Sequence, residues 1–314
     1  MNKINEFISL IEESNSKGLL VDNDILTGFS GEKLIGTLQR LAQQLNPQKE
    51  CYVEVGVFQG LSLLSVAKAF QNGDVYGIDN FSQFDKDNVN FSIVEEREKK
   101  LQLTNVNIIN KDFEIALENL DKYIGNKKVG VYFVDGPHDY RSQLMCLLLA
   151  KPYLSEHAVI LVDDSNYEHV RQANRDFLIA NPDFKLLFES YNQTHPHNFS
   201  KEKQQEVQKG WWNGINILVH DPYGILPCTF PPTSSDKILF YNQHLNDSSK
   251  FPEAIPLALG IMNVLKPLRL LKLINRLRIL KKAVDNSEKE HIGDFPRRNT
   301  FSKNLSNYNI IKPL

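Results

Sequence analysis

CYVEVGVFQGLSLLSVAKAF, residues 51–70, compresses a strand, a turn and a helix into one run. Cys51 to Val55 is short, valine-rich and almost continuously apolar, the pattern of a strand covered on both faces rather than one half exposed to water. Gly56 and Gly60 bracket a turn, and the leucines and valine that follow fall at helical spacing. The same alternation recurs along the chain. DVYGID (74–79), NVNIIN (105–110), VGVYFVD (129–135) and AVILVDD (158–164) read as strands, with helical periodicity over 113–124 and 140–154. Strands alternating with helices imply right-handed crossovers and a doubly wound α/β sheet. Residues 170–182 read as a further helix, 184–191 and 211–220 as two late strands. The polar excursion 192–210 between them, carrying His195 and His197, fits an antiparallel pair at one sheet edge, because no helical crossover is needed. The expected fold is therefore α/β: a Rossmann-like, seven-stranded, mostly parallel sheet with an antiparallel last strand.

Outward from this sheet the composition changes. Over 1–47 apolar residues recur at helical spacing (Ile4, Phe7, Ile8, Ile11; Leu34, Ile35, Leu38, Leu41, Leu45), which predicts N-terminal helices on the substrate side of a main domain at 48–222. Residues 223–257 are a proline-rich connection. Residues 258–284 hold seven Lys or Arg and no acid, with Leu270, Leu273, Ile274, Leu277, Leu280 and Val284 on one stripe, and predict a basic amphipathic helix. Residues 285–314 read as a polar, loosely held tail.

Thirty-six Lys and Arg against 38 Asp and Glu leave a net charge of −2, so no global positive field draws the chain to nucleic acid. Three cysteines without a CxxC pair argue against a disulfide framework or a zinc site. No apolar h-region opens the sequence and no apolar run is long enough to span a bilayer, so the expected location is cytoplasmic. The stripe at 268–284 has two uses: docking on the main domain or a second copy of the chain, or peripheral contact with an anionic membrane. Nucleic acid is the poorest partner for it, since no aromatic residues interleave with the basic ones.

Chemistry gathers where the predicted strands end. Glycines after the first strand let the backbone approach a ligand, and the new helix offers unpaired N–H groups, so Glu54, Gly56 and Gly60 mark a cofactor turn. The spacing is GxxxG, not the GxGxxG of dinucleotide sites. Asp79, ending the second strand, either accepts hydrogen bonds from ribose hydroxyls or caps a turn. Asp112 either caps the next helix or contacts an adenine edge. VDGPHDY (134–140) and VDDSN (162–166) bring Asp135, His138, Asp163, Asp164 and Asn166 to the same carboxyl edge. Carboxylates converging there repel one another unless a cation neutralises them, and oxygen ligands suit Mg²⁺, Ca²⁺ or Mn²⁺, with Mg²⁺ the first expectation; the plainer alternative is that one or two cap the following helices. His138 has a pKa suited to taking a proton from a hydroxyl, or it holds the loop. Trp211 and Trp212 wall an acceptor pocket or pack in the core, and the His195–His197 excursion is a lid or a solvated loop.

In this order, EVGVFQG, VYGIDN, NKDF, VDGPHDY and VDD resemble the class I S-adenosylmethionine-dependent methyltransferases, and the last two resemble their metal-dependent O-methyltransferase branch of macrocin and catechol type. The resemblance spans about residues 48–220. It implies that Glu54, Gly56 and Gly60 hold the methionine moiety, Asp79 the ribose, and Asp112 with Phe113 the adenine. It makes Asp135, Asp163 and Asp164 ligands of a divalent metal, with Asn166 a substitute for Asp164. It casts His138 and Asp135 as the catalytic pair. The implied activity is methyl transfer to a hydroxyl of a small molecule such as a sugar, a polyketide or another secondary metabolite, by a homo-oligomer or a monomer. The alternatives are a non-catalytic ligand-binding module of the same fold, or a metal-dependent hydroxylase-like enzyme held at a membrane by the basic helix.

Overall fold

Successive residues of the first strand face opposite ways: Cys51, Val53 and Val55 join one buried cluster, Tyr52 the other. The computed structural model describes residues 3–22, 25–85, 87–233, 275–282 and 305–314. Its elements run α1 (Lys3–Lys17), α2 (Glu32–Ala42), β1 (Glu50–Val55), α3 (Leu61–Ala69), β2 (Val75–Ile78), α4 (Asn90–Leu101), β3 (Val106–Ile109), α5 (Phe113–Leu117), α6 (Asp121–Ile124) and β4 (Lys128–Val134). They continue with α7 (Tyr140–Ala150), β5 (Leu154–Val162), α8 (Glu168–Ala180), β6 (Phe184–Ser190), α9 (Lys201–Gln208), β7 (Ile215–His220) and β8 (Asn309–Ile310).

The strands form one sheet in the order β3-β2-β1-β4-β5-β7-β6-β8. β3, β2, β1, β4 and β5 pair in parallel, and β7 slots between β5 and β6, antiparallel to both. One face carries α1, α2 and α3 through Phe7, Ile11, Leu34, Leu38, Leu63 and Leu64, packed on Tyr52, Val131, Phe133 and Leu161. The other carries α7 and α8 through Leu147, Val170 and Phe177, packed on Val53, Tyr132, Ile160 and Val162. Two covered faces are why the strand sequences read as continuous rather than alternating apolar runs. The order reverses at β1 and β4, whose carboxyl ends open the crevice where ligands bind in such sheets.

Four local expectations change. The run 113–124 is two short helices, α5 and α6, not one. The excursion 192–210 is not a plain loop, because it holds a 3₁₀ turn (Pro196–Asn198) and α9, both capped by their own side chains. Trp211 and Trp212 lie in the turn before β7 rather than in the strand. The largest difference is an eighth strand. β8 comes from the stretch read as a loose tail and pairs antiparallel with β6, Phe188 opposite Ile310 and Glu189 opposite Asn309. Its Tyr308, Ile310 and Ile311 pack on the core and give the sheet an edge strand that a polar composition conceals.

Of the basic stretch, residues 258–274, 283 and 284 lie outside the described residues, as do 285–304 of the tail. Residues 275–282 are helical, and Leu277 and Ile279 are 46% and 47% exposed there. No described helix is long and apolar enough to cross a membrane. Cys51 and Cys146 are buried and Cys228 exposed, all three as free thiols.

Candidate active site

Gly56 leaves β1 at φ +93°. A Cβ there would stand 1.9 Å from the Asp135 carbonyl oxygen, so only glycine lets the turn after β1 lie against the end of β4. This close approach places Glu54 and Asp135 in one crevice. Gly60, at φ +80°, is the N-cap of α3. Glu54 is fully buried beneath the turn, accepting from Tyr52 Oη at 2.6 Å and Ser62 Oγ at 3.1 Å. Burial, with the charge of Asp79, lifts its carboxyl to about 8, although the Tyr52 and Ser62 hydroxyls pull the other way.

Asp79 clamps the same turn. Its Oδ2 accepts the N–H groups of Val57 (2.8 Å) and Phe58 (2.9 Å), and its Oδ1 that of Phe81 (2.7 Å). Three of a carboxylate's roughly four acceptor directions are thereby used, leaving about one for a ligand hydroxyl. Asp112 caps α5, accepting from Glu114 N at 2.9 Å and Ile115 N at 3.4 Å, and the adjacent Phe113 packs on the α7–α8 face.

The second group lies past β4 and β5. One ligand atom each of Asp135, His138 and Asp164 lies within 4.8 Å of the others. His138 Nε2 is 2.6 Å from Asp164 Oδ2, and Asn213 Nδ2 donates to Asp164 Oδ1 at 2.7 Å. Burial works to raise the Asp164 carboxyl, but His138, His195 and the Asn213 amide outweigh it and hold the group below its ordinary value. Asp135 goes the other way. Burial, and then repulsion from Asp163, Asp164, Glu54 and Asp79, push it well above the carboxylate range. Asp163 stands beside this trio and outside it, its Oδ1 accepting the Asp164 N–H at 2.8 Å. Asn166 commits both ends of its amide to the backbone of Asn192, at 2.9 and 3.1 Å.

Asp164 takes a left-handed φ of +52°, a conformation tolerated by Asp and concentrated at functional loops. Two buried acids whose carboxyls are pushed in opposite directions, an imidazole facing one of them and a glycine turn abutting the other meet at a topological switch point, the arrangement expected of a candidate acid–base site.

The family described as "Methyltransferase domain" matches residues 53–165, from β1 to the loop after β5. No curated protein matches the chain in sequence. Among solved structures, the chain is similar to an O-methyltransferase from Bacillus cereus in complex with SAH, at 15% identity and TM-score 0.45, over 70% of this chain and 92% of that one. It is similar at the same identity and score to the O-methyltransferase TomG from Streptomyces achromogenes, in complex with SAM, over 69% of this chain and 90% of that one.

Around the matched region 53–165 the flanking segments bring up a band of rings. Tyr167 stacks on His138 with centroids 5.4 Å apart, His195 follows at 6.1 Å and His197 at 5.0 Å from His195. Phe29, from the α1–α2 connection, meets His197 at 5.6 Å, Trp212 at 6.4 Å and Phe58 of the glycine turn at 5.8 Å. The band thus runs from the acidic trio to the cofactor turn. Trp212 belongs to it, whereas Trp211 packs on Phe188 in the core at 4.8 Å. His195 is buried rather than solvated, and burial lowers it to about 4, so it is neutral near pH 7. Sequence reading had no means of finding Phe29, Tyr167 or Asn213. Each comes from a different segment, and none carries a motif.

Proposed function

We propose that the region 53–165 is a methyltransferase domain that binds S-adenosylmethionine and transfers its methyl group to a hydroxyl of a small molecule, with a divalent cation at the carboxylates. The observation that carries this reading is the Asp135, His138 and Asp164 trio set against a glycine turn that Asp79 clamps. The donor chemistry fits a cation: two carboxylates and an imidazole converge, and burial with repulsion from the neighbouring carboxylates pushes Asp135 up, a penalty that a cation would relieve. Asp135 and Asp164 would hold the metal, which when bound lowers the pKa of an acceptor hydroxyl. The Gly56–Gly60 turn with Glu54 beneath it would seat the methionine end, Asp79 would offer its remaining acceptor direction to the ribose, and Phe113 would border the adenine.

The sulfonium methyl needs no activation, so the chain has two tasks: to align the acceptor oxygen and to remove one proton. Phe29, Trp212 and Tyr167 form the wall that aligns it and keeps water out. His138 takes the proton. Its Nε2 faces Asp164 Oδ2, a carboxylate that orients the ring and would stabilise the imidazolium that forms. Because Nε2 serves either Asp164 or a metal, this reading assigns the cation to the carboxylates and the proton to the imidazole.

The test is methyl transfer from S-adenosylmethionine to a panel of vicinal hydroxyl acceptors, with Mg²⁺ or Mn²⁺ and with EDTA. Turnover that EDTA abolishes and Asp164→Ala removes supports the reading. Full turnover under chelation overturns its metal part.

A further inference from the structure

We propose that Arg171 is the positioning residue of the Asp164 loop, and that the chain's own C-terminal strand holds Arg171 in register. The metal arm of the test rests on the reading above; the geometry does not.

Arg171 lies in the first turns of α8 and is 4% exposed. Burying a guanidinium is costly unless its donors are all used. Its Nη1 donates to the carbonyls of Ser165 (2.9 Å) and Asn166 (2.5 Å), and its Nε to that of Pro232 (2.7 Å). Ser165 and Asn166 directly follow Asp164 with its left-handed backbone, so the cation grips the loop by its carbonyls. The turn at Asn213 and Gly214 grips the other side: Ser165 N donates to Gly214 O, Asn166 N to Asn213 O, and the Asn213 amide to the Asp164 carboxylate. Gly214 is needed there, since a Cβ would stand 2.6 Å from Asn166 Oδ1. Asp164 is thus aimed from both sides by groups that are not themselves acids.

Behind Arg171 a single chain of buried contacts leads to the edge of the sheet. The guanidinium lies 5.6 Å from the centroid of the Tyr191 ring. Tyr191 Oη donates to Glu189 Oε2 at 2.9 Å and accepts from Asn216 Nδ2 at 2.8 Å, and Asn216 Oδ1 accepts from Asn174 on α8. Glu189 Oε1 accepts from Asn309 Nδ2 of β8 at 2.9 Å. The two residues after Glu189 are tied to the segment leading into β8, Ser190 Oγ donating to Asn307 O and Tyr191 N to Ser306 O. β8 therefore does more than cover an edge. Its Asn309 adds a hydrogen bond to the Glu189–Tyr191 pair on which Arg171 rests.

The test uses the full chain and two ligands, with Mn²⁺ binding followed by electron paramagnetic resonance and S-adenosylhomocysteine binding by calorimetry. Arg171→Lys keeps the charge and loses the forked grip, and should weaken Mn²⁺ about 10–100-fold, the usual effect of losing a group that orients a ligand, with S-adenosylhomocysteine affinity unchanged. Asn309→Ala, on the surface strand, should weaken Mn²⁺ several-fold in the same direction, and it carries the test should Arg171→Lys not fold. Wild-type Mn²⁺ affinity in both variants overturns the proposal, and so does an equal loss for both ligands, which marks a merely structural role. Should wild type bind no Mn²⁺, the metal reading fails by itself. Amide hydrogen exchange at 164–166 then decides: faster exchange in the variants supports the positioning role, and unchanged exchange overturns it.

Discussion

His138 Nε2 sits 2.6 Å from Asp164 Oδ2, and the same carboxylate takes the Asn213 amide on its other oxygen. An imidazole oriented by a carboxylate that is itself fixed suits the general base of the proposed reaction. His138→Gln is therefore expected to lower turnover by about 10²–10⁴ and to leave S-adenosylhomocysteine affinity within about twofold. Steady-state kinetics beside calorimetric titration checks this; a loss below about tenfold would remove His138 from the role.

The buried acids make the ligand-free protein pH-sensitive. Glu54 titrates at 4.5 when unfolded and about 8 when folded, and Asp135 shifts the same way. A folded pKa raised this far gives stability that is full below the unfolded value and lost as pH rises through the folded one. His195, lowered from 6.5 to about 4, acts in the opposite sense but only below its unfolded value. The window free of it is pH 6.5 to 8. Across that window stability should fall by on the order of 2 kcal/mol from Glu54, and Glu54→Gln should flatten the slope. Urea midpoints at pH 6.5, 7.2 and 8 measure it, and a slope identical in wild type and variant would contradict the assignment.

Gly56→Ala places a methyl against the Asp135 carbonyl at a backbone angle that disfavours side chains. The turn and the end of β4 must separate, so the variant should lose S-adenosylhomocysteine binding at least tenfold and lower the thermal midpoint. Gly125→Ala has nothing within 4 Å of its added methyl and serves as the control for a positive-φ glycine away from the site.

The helical residues 275–282 expose Leu277 and Ile279 among Arg276, Arg278, Lys281 and Lys282. We infer an affinity for anionic lipid, each basic residue near the surface contributing about 1 kcal/mol. Co-sedimentation with phosphatidylglycerol vesicles should exceed that with phosphatidylcholine and fall in 0.5 M salt (on the order of a 4 Å screening length). Equal partition to both vesicles would end this idea.

The sheet was legible because both its faces are covered: runs such as YFV and VILV read as buried strands, and 154–162 differs from its reading at both ends, beginning four residues earlier and stopping two earlier. The acids at the carboxyl edge were legible for the same topological reason. What stayed hidden depends on contacts between distant segments. β8 is two paired residues in a polar stretch, visible only through Tyr308, Ile310 and Ile311 meeting β6. The division of labour among Asp135, His138, Asp163 and Asp164 depends on which oxygen faces which neighbour, and a tandem DD contains no record of that. Asp79 was read as a ligand for ribose or as a turn cap, and its three backbone donors show the cap at work.

The most direct measurement is a paired titration of the full chain with S-adenosylhomocysteine and Mn²⁺, on wild type and Asp164→Ala. The account predicts one site for each ligand in wild type, with S-adenosylhomocysteine binding retained and Mn²⁺ binding lost in the variant. A wild-type chain that binds no S-adenosylhomocysteine, or an Asp164→Ala chain that binds Mn²⁺ as wild type does, would contradict it.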